Sequence, residues 1–445
     1  MAVTDSLSPV ATSQRTAPTT FGRLRHIGLA TFYFGLSFTW LPYPAVLLQS
    51  QLRSFFHPDQ VIPMIGYTTA AGAVFAVVVP PLVGAFSDRL TTPWGRRRPL
   101  VVAGVLLSLV GIFLMWTAPS YPQLLAGHLI TQIFLNGSAA AYYAIIPDVV
   151  PEQEFGKASG FLAVMTLGGG LVGFAMTGVL AGLHLVLLSY PVMAAVLALS
   201  VVPVLWAGSH EGERAIKSTP RRSPRQAVVD FLQPLWVGDF AWVIFTRMMV
   251  SAGVGAVFYF LSPFFQHVVG VSNPDQFTSY WLLVAFASTL LPGLVGGAAS
   301  DRFGRKPFVY AAGAIQILVA VYFIALYPKQ IWVVLLLGAI YGIGYGLYVA
   351  VDWALACDTV PDRGKSAKDM GLFHVGQTLP ASIIPAIEGP LIAHFNQQAA
   401  NSGYRVAFAS VIVFFVLGTV FVSRIRSNPR PRINALSPKG VGAQV

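Results

Sequence analysis

Ionisable residues stand inside otherwise apolar stretches of this chain, Arg247, Asp352, His374 and Glu388 among them. Charge in such surroundings is costly, and it persists where it lines a wet cavity or finds a partner. Arg247 and His374 each lie about two turns from one end of their stretches, and Asp352 under two turns from the end of its own, so the three are expected at one depth as a cluster. A carboxylate that is alternately isolated and paired with an arginine can take up a proton in one conformation and release it in another. Asp352 is the expected coupling acid and Arg247 its conditional partner; a permanent structural ion pair is the competing reading. Glu388 is the second candidate proton site, or else part of an outer vestibule. Catalysis has no support, because no nucleophile and base stand at a compatible spacing. The single cysteine, Cys357, forms no metal cluster and no intramolecular disulfide, and no metal or cofactor is expected.

Polar and aromatic residues also fall into stripes. His128, Gln132 and Asn136 recur every four residues and share one helical face, as do Tyr341, Tyr345, Tyr348 and Asp352 at spacings of 4, 3 and 4. Tyr33, Ser37, Trp40 and Pro44 form a third such face, and Trp353 and Gln377 complete the expected solute-contacting set. Aromatic rings present flat apolar surface to the C–H faces of a sugar, while hydroxyl and amide groups bond its rim. Interhelical packing is the alternative for each stripe. Five glycines at 168, 169, 170, 173 and 178 are read as close helix contacts rather than a phosphate loop, since no Lys-Ser/Thr follows.

The elements that carry these residues follow from composition. Hydrophobic residues make up 55% of the 445 positions and charged ones 10%, far from the roughly 25% charged content of soluble domains. Twelve apolar stretches are long enough to span a bilayer, near 26 to 52, 60 to 87, 98 to 118, 121 to 147, 156 to 181, 184 to 207, 239 to 267, 275 to 300, 306 to 326, 330 to 357, 368 to 394 and 403 to 423. With the N-terminus inside, 24 of the 28 Lys and Arg residues fall in cytosolic segments, so both termini are expected in the cytosol. The net charge of +11 is thus distributed by topology, and nucleic acid is not an expected partner. No apolar core with a small-residue cleavage site occupies the first 25 residues, which argues against a removable signal peptide. The expected organisation is a cytosolic tail (1–25), a six-helix bundle (26–207), a charged, proline-bearing cytosolic linker (208–238), a second six-helix bundle (239–424) and a cytosolic tail (425–445). Pro42 and Pro44 should bend the first helix.

Two motifs recur between the halves. Gly84, Asp88 and Arg89, followed by Gly95, Arg96 and Pro99, return as Gly297, Asp301 and Arg302, followed by Gly304, Arg305 and Pro307. The segment from Asp148 to Pro151 returns as Asp358 to Pro361. Six helices per half is an even number, so the halves enter the membrane from the same side and are related by an axis along the membrane normal. The repeated Gly-x-x-x-Asp-Arg turn resembles the signature loop of the major facilitator superfamily. Its longer first copy, with the Asp-x-Val-Pro elements, resembles the sucrose-transporter-like branch and the glycoside-pentoside-hexuronide cation symporters. The resemblance implies an all-α membrane protein of twelve helices in two bundles, alternating access, and a monomer that moves a sugar-like solute with protons across a cell membrane. It further implies that Asp88 and Asp301 latch onto helices 11 and 5 while the cytosolic side is closed. Departures are visible: the fourth stretch has His128 but no Arg, the fifth lacks the Gly-Pro element of drug antiporters, and residues 60–87 hold no acid of the kind sodium-coupled relatives use. Export of a drug-like or amphiphilic solute, and a non-transporting sensor of the same fold, remain as the alternatives.

Overall fold

The computed structural model describes residues 21–87, 90, 92–209, 232–236, 238–360 and 366–426. Most of both tails, most of the 208–238 linker, Asp88, Arg89 and Pro361 lie outside the described residues. The described chain is helical throughout. In the first half, α1 runs through Arg23–Trp40, a π-helical turn at Tyr43–Leu47 and Leu48–Phe55. It is followed by α2 (Pro58–Ser87), α3 (Arg98–Trp116), α4 (Tyr121–Val149), α5 (Phe155–Gly182) and α6 (Ser189–Ala207). In the second half, α7 runs through Gly238–Phe258, Leu261–Phe264 and a π turn at Phe265–Val269. Then come α8 (Pro274–Phe303), α9 (Lys306–Leu326), α10 (Ile331–Thr359), α11 (Ser366–Gln398) and α12 (Ser402–Val420).

Ten helices among the described residues are long and apolar enough to cross a membrane. The other two crossings, α1 and α11, both contain proline, as do α2, α6 and α8 among the ten. Pro42 and Pro44 sit where α1 breaks into its π turn, as the sequence predicts, and α11 holds Pro380, Pro385 and Pro390. A broken helix in lipid needs partners for its freed carbonyls. Gln49 supplies one, donating its amide to the Pro44 carbonyl (3.2 Å) and also to the Tyr259 carbonyl in α7 (2.8 Å).

Packing repeats with a period of six helices. The contacts of α1 with α5 and α6, α2 with α4, and α3 with α4 and α6 recur as α7 with α11 and α12, α8 with α10, and α9 with α10 and α12. The two most extensive contacts between the halves, α2 with α11 and α5 with α8, are images of each other under the same shift, and the π turn of α1 adds smaller contacts to α7 and α8. These make a pseudo-two-fold pair of six-helix bundles.

Backbone geometry accounts for the glycines of the repeated turns. Gly95 and Gly304 occupy matching places, with φ of 94° and 89°, where a side chain would be strained. Pro99 and Pro307 then fall in the first turns of α3 and α9, where the missing N–H removes no helix bond.

The halves close on each other at the face opposite the motif turns. A Cβ on Gly66 of α2 would overlap the Pro385 carbonyl of α11, and one on Gly178 of α5 would press on the Tyr280 ring of α8. At the motif face the same helices diverge: a Cβ at Gly84 of α2, at Gly156 or Gly160 of α5, or at Gly293 of α8 would meet nothing within 4 Å. The cleft between the halves therefore opens toward the motif turns.

Candidate functional site

Arg247 of α7 reaches across to both α10 and α11. Its Nη1 pairs with Oδ2 of Asp352, and its Nη2 donates to Oε1 of Gln377. Its guanidinium carbon lies 3.7 Å from the centroid of the Phe373 ring. Tyr348, one turn before Asp352 on α10, donates its hydroxyl to the other carboxylate oxygen at 2.8 Å. Both charged side chains are 11% exposed, so little water screens the pair. Arg247 Nε is buried without a hydrogen-bond partner, leaving the cation one unused donor. Removing either charge would leave the other uncompensated in a low-dielectric wall. Two of the three groups expected to cluster thus do so. His374 stands on α11 between Phe373 and Gln377, with its side chain outside the described residues.

Glu388 lies eleven residues farther along α11, roughly 16 Å by helical rise, and is separate from this cluster. It is 3% exposed; Oε1 accepts from the Ser410 hydroxyl of α12, and Oε2 is buried without a partner. It is buried against α12 through Ser410.

The first-half stripes are pulled into internal contacts. His128 is 2% exposed, and its Nδ1 stands 2.9 Å from the Tyr43 hydroxyl of α1. Asn136 donates to the carbonyl of Gln132 (2.7 Å) and to its Oε1 (3.0 Å) along α4. Trp40, Tyr43, His128, Gln132 and Tyr190 line a small cavity inside the first half. Ser37 is buried, while the half-buried Tyr33 sets its ring 5.6 Å from Tyr142 and 5.5 Å from Tyr143. On α10, Tyr345 is half-buried, Tyr341 packs 5.9 Å from Trp281, and Trp353 is 54% exposed with Phe373 at its edge.

The two sequence repeats meet each other in space. Arg96 grips Asp148 with two bonds, Nη2 to Oδ1 at 2.8 Å and Nε to Oδ2 at 3.2 Å. Arg97 adds a 3.4 Å contact to the same carboxylate and a bond to Ser87 at the end of α2. In the second half Arg305 donates to Asp358 at 2.6 Å and pairs with Asp301 at 3.3 Å. Each signature turn is thereby tied to the end of the fourth helix of its own half. Asp301 is 69% exposed, and Arg305 of its own half is its ion-pair partner. Arg302 lies in the last turn of α8, its guanidinium 5.5 Å from the Phe303 ring, and Gly297 is one turn earlier.

Three partnerships are not legible in the sequence. Phe373 under Arg247 carried no stripe signal. At the motif face His26 Nε2 stands 2.8 Å from Glu154, which also accepts from the Phe21 amide at 3.2 Å. The His26 hydrogen bond, aided by that amide, holds the Glu154 carboxyl below its ordinary range. At the opposite face Arg53 of α1 pairs with Asp275 of α8. The available signal there was that Arg53 is one of three basic residues in the loops assigned to the outside.

Two six-helix bundles with image-related contacts between them, and a buried ion pair within the second, define a membrane transporter rather than an enzyme. The chain belongs to the MFS/sugar transport protein family, whose profile matches residues 62–369. It is 25% identical over 395 residues to a probable 4-methylmuconolactone transporter of Cupriavidus pinatubonensis, covering 85% of this chain and 89% of that one. It is 26% identical over 285 residues to the class C tetracycline resistance protein of Escherichia coli, covering 61% of this chain and 66% of that protein. The fold matches the crystal structure of the nucleoside transporter NupG with a TM-score of 0.68 at 14% identity, over 92% of this chain and 100% of the other.

Proposed function

We propose that this chain is a proton-coupled symporter that carries a sugar or glycoside, a sucrose-like disaccharide among the candidates, across a cell membrane by alternating access. The observation that carries the reading is the Arg247–Asp352 pair with its Tyr348 and Gln377 bonds. Asp352 is the coupling acid. A proton on its carboxylate cancels the attraction to Arg247, and the guanidinium then turns its donors, the unused Nε included, toward a solute hydroxyl. Tyr345 and Gln377 of the second half and Tyr33 of the first supply ring faces and an amide to the solute. The family description and the symporter-like signature turns support a sugar as cargo. The motif turns face the cytosol together with both termini, in a monomer whose form here is open inward. Asp88 and Asp301 engage α11 and α5 only when that side closes; the exposure of Asp301 here fits the disengaged form.

The test is uptake into proteoliposomes across an imposed pH gradient, with a panel of mono- and disaccharides. Accumulation of at least one sugar under an inward proton gradient, absent without it, is the expected result. No accumulation of any sugar under any gradient refutes the reading. Export of an amphiphilic solute is the second reading, favoured by the similarity to the tetracycline resistance protein. Tetracycline extrusion in the same vesicles would support it.

A further inference from the structure

At the face opposite the motif turns, the two halves are tied by charge. Arg53 lies in the last turn of α1 and crosses to the second half, where Nη2 pairs with Oδ1 of Asp275 and Nη1 donates to the Ser262 hydroxyl at 3.1 Å. Ser262 Oγ is itself 3.4 Å from that Asp275 oxygen, so the three groups close a ring. The charged side chains are 21% and 13% exposed. Helix dipoles reinforce the arrangement. Arg53 sits at the C-terminal end of α1, which favours a cation, and Asp275 in the first turn of α8, which favours an anion.

The remaining polar ties across this face are neutral. Gln49 donates to the Tyr259 carbonyl and Asn273 to the Ala181 carbonyl, each at 2.8 Å. Apart from the long Ser262–Asp275 contact inside the second half, each of these bonds joins one half to the other, so neither bundle relies on them to fold. All of the bonds between the halves must break when the halves rock apart at this face.

We propose that Arg53, Asp275 and Ser262 form an ionic lock that holds the chain closed opposite the motif turns and sets the fraction of molecules open to that side. The lock acts on the conformational equilibrium alone. It therefore stands or falls independently of which solute is carried and of proton coupling.

The reporter is a cysteine in place of Ser279. This residue is fully buried on α8, one turn beyond Asp275, against Gly178 of α5. The exposed Cys357 is replaced by Ser, and maleimide labelling of the detergent-purified full chain is followed in time, where membrane orientation has no influence. Arg53→Ala and Asp275→Ala should each speed labelling at least about fivefold, the lower end of ordinary coupling between two states. The reversed pair, Arg53→Asp with Asp275→Arg, should label more slowly than either single variant but short of full recovery, because each swapped charge meets a helix end of unfavourable sign. A second reporter at Ser138, fully buried between α3 and α4 inside the first half, should stay unlabelled throughout. Single variants that label at the parent rate overturn the lock. So does a reversed pair as fast as the singles, and so does a rise at both reporters, which would mark unfolding instead of opening.

Discussion

Removing the charge of Asp352 isolates Arg247 without changing the shape of the wall, and the cost can be bracketed from the site. Loss of one partner of a buried ion pair costs about 3–5 kcal/mol, because the remaining charge stays desolvated. Asp352→Asn keeps the volume and an oxygen for the Tyr348 hydroxyl, and Arg247 keeps Gln377 and the face of Phe373. A hydrogen bond to a charged group contributes about 1.5–3 kcal/mol, so those surviving contacts place the loss at the lower end, near 3 kcal/mol. Scaled at roughly 2–4 °C per kcal/mol, the midpoint of thermal unfolding in detergent should fall by about 6–12 °C. Replacing both residues by leucine removes the orphaned charge and should recover most of that loss. Intrinsic fluorescence from the 9 tryptophans follows the transition, and Arg247→Leu and Asp352→Leu with the double leucine variant complete a mutant cycle. An Asp352→Asn midpoint within about 2 °C of the parent, or a double variant as unstable as the singles together, would refute a closed, desolvated pair. Transport separates structure from coupling: Asp352→Asn should abolish gradient-driven accumulation while solute exchange continues.

Gly66→Ala should favour the form open opposite the motif turns, since its Cβ would overlap the Pro385 carbonyl, whereas Gly84→Ala faces open space and should not. The Ser279→Cys labelling rate distinguishes them, and equal rates would show that the α2–α11 approach does not govern closure. Glu154 yields a pH dependence whose sign is set by its lowered pKa. A depressed carboxyl contributes stability that is complete above its ordinary value of 4.5 and fades as pH falls through its folded value. The thermal advantage of the parent over Glu154→Gln should shrink as pH falls below 4.5; an advantage undiminished on further acidification contradicts a Glu154 carboxylate held by His26.

Much of the architecture was legible because the information is local. Span length, the distribution of Lys and Arg, and the duplicated turns need only periodicity and counting, and a bend in α1 was legible in Pro42 and Pro44, though not its π-helical form. The cluster was half legible: a buried acid and an arginine at one depth invite each other, and Arg247 and Asp352 do meet. The stripe on α4 shows the limit. Spacing put His128, Gln132 and Asn136 on one face, but it could not say that this face turns into the first half, toward Tyr43 of α1.

The sequence by itself determined a duplicated twelve-helix membrane carrier, the glycines and prolines of its turns, and the ionisable residues inside its spans, because each depends on lipid, backbone sterics or chain periodicity. Only the tertiary structure decided that Arg96 and Arg305 serve Asp148 and Asp358, that Phe373 and Gln377 hold Arg247, and that Arg53 meets Asp275. Those pairings join residues from 52 to 222 positions apart. They depend on the rotation and tilt of packed helices, which burial of the whole surface sets and no single stretch of sequence contains.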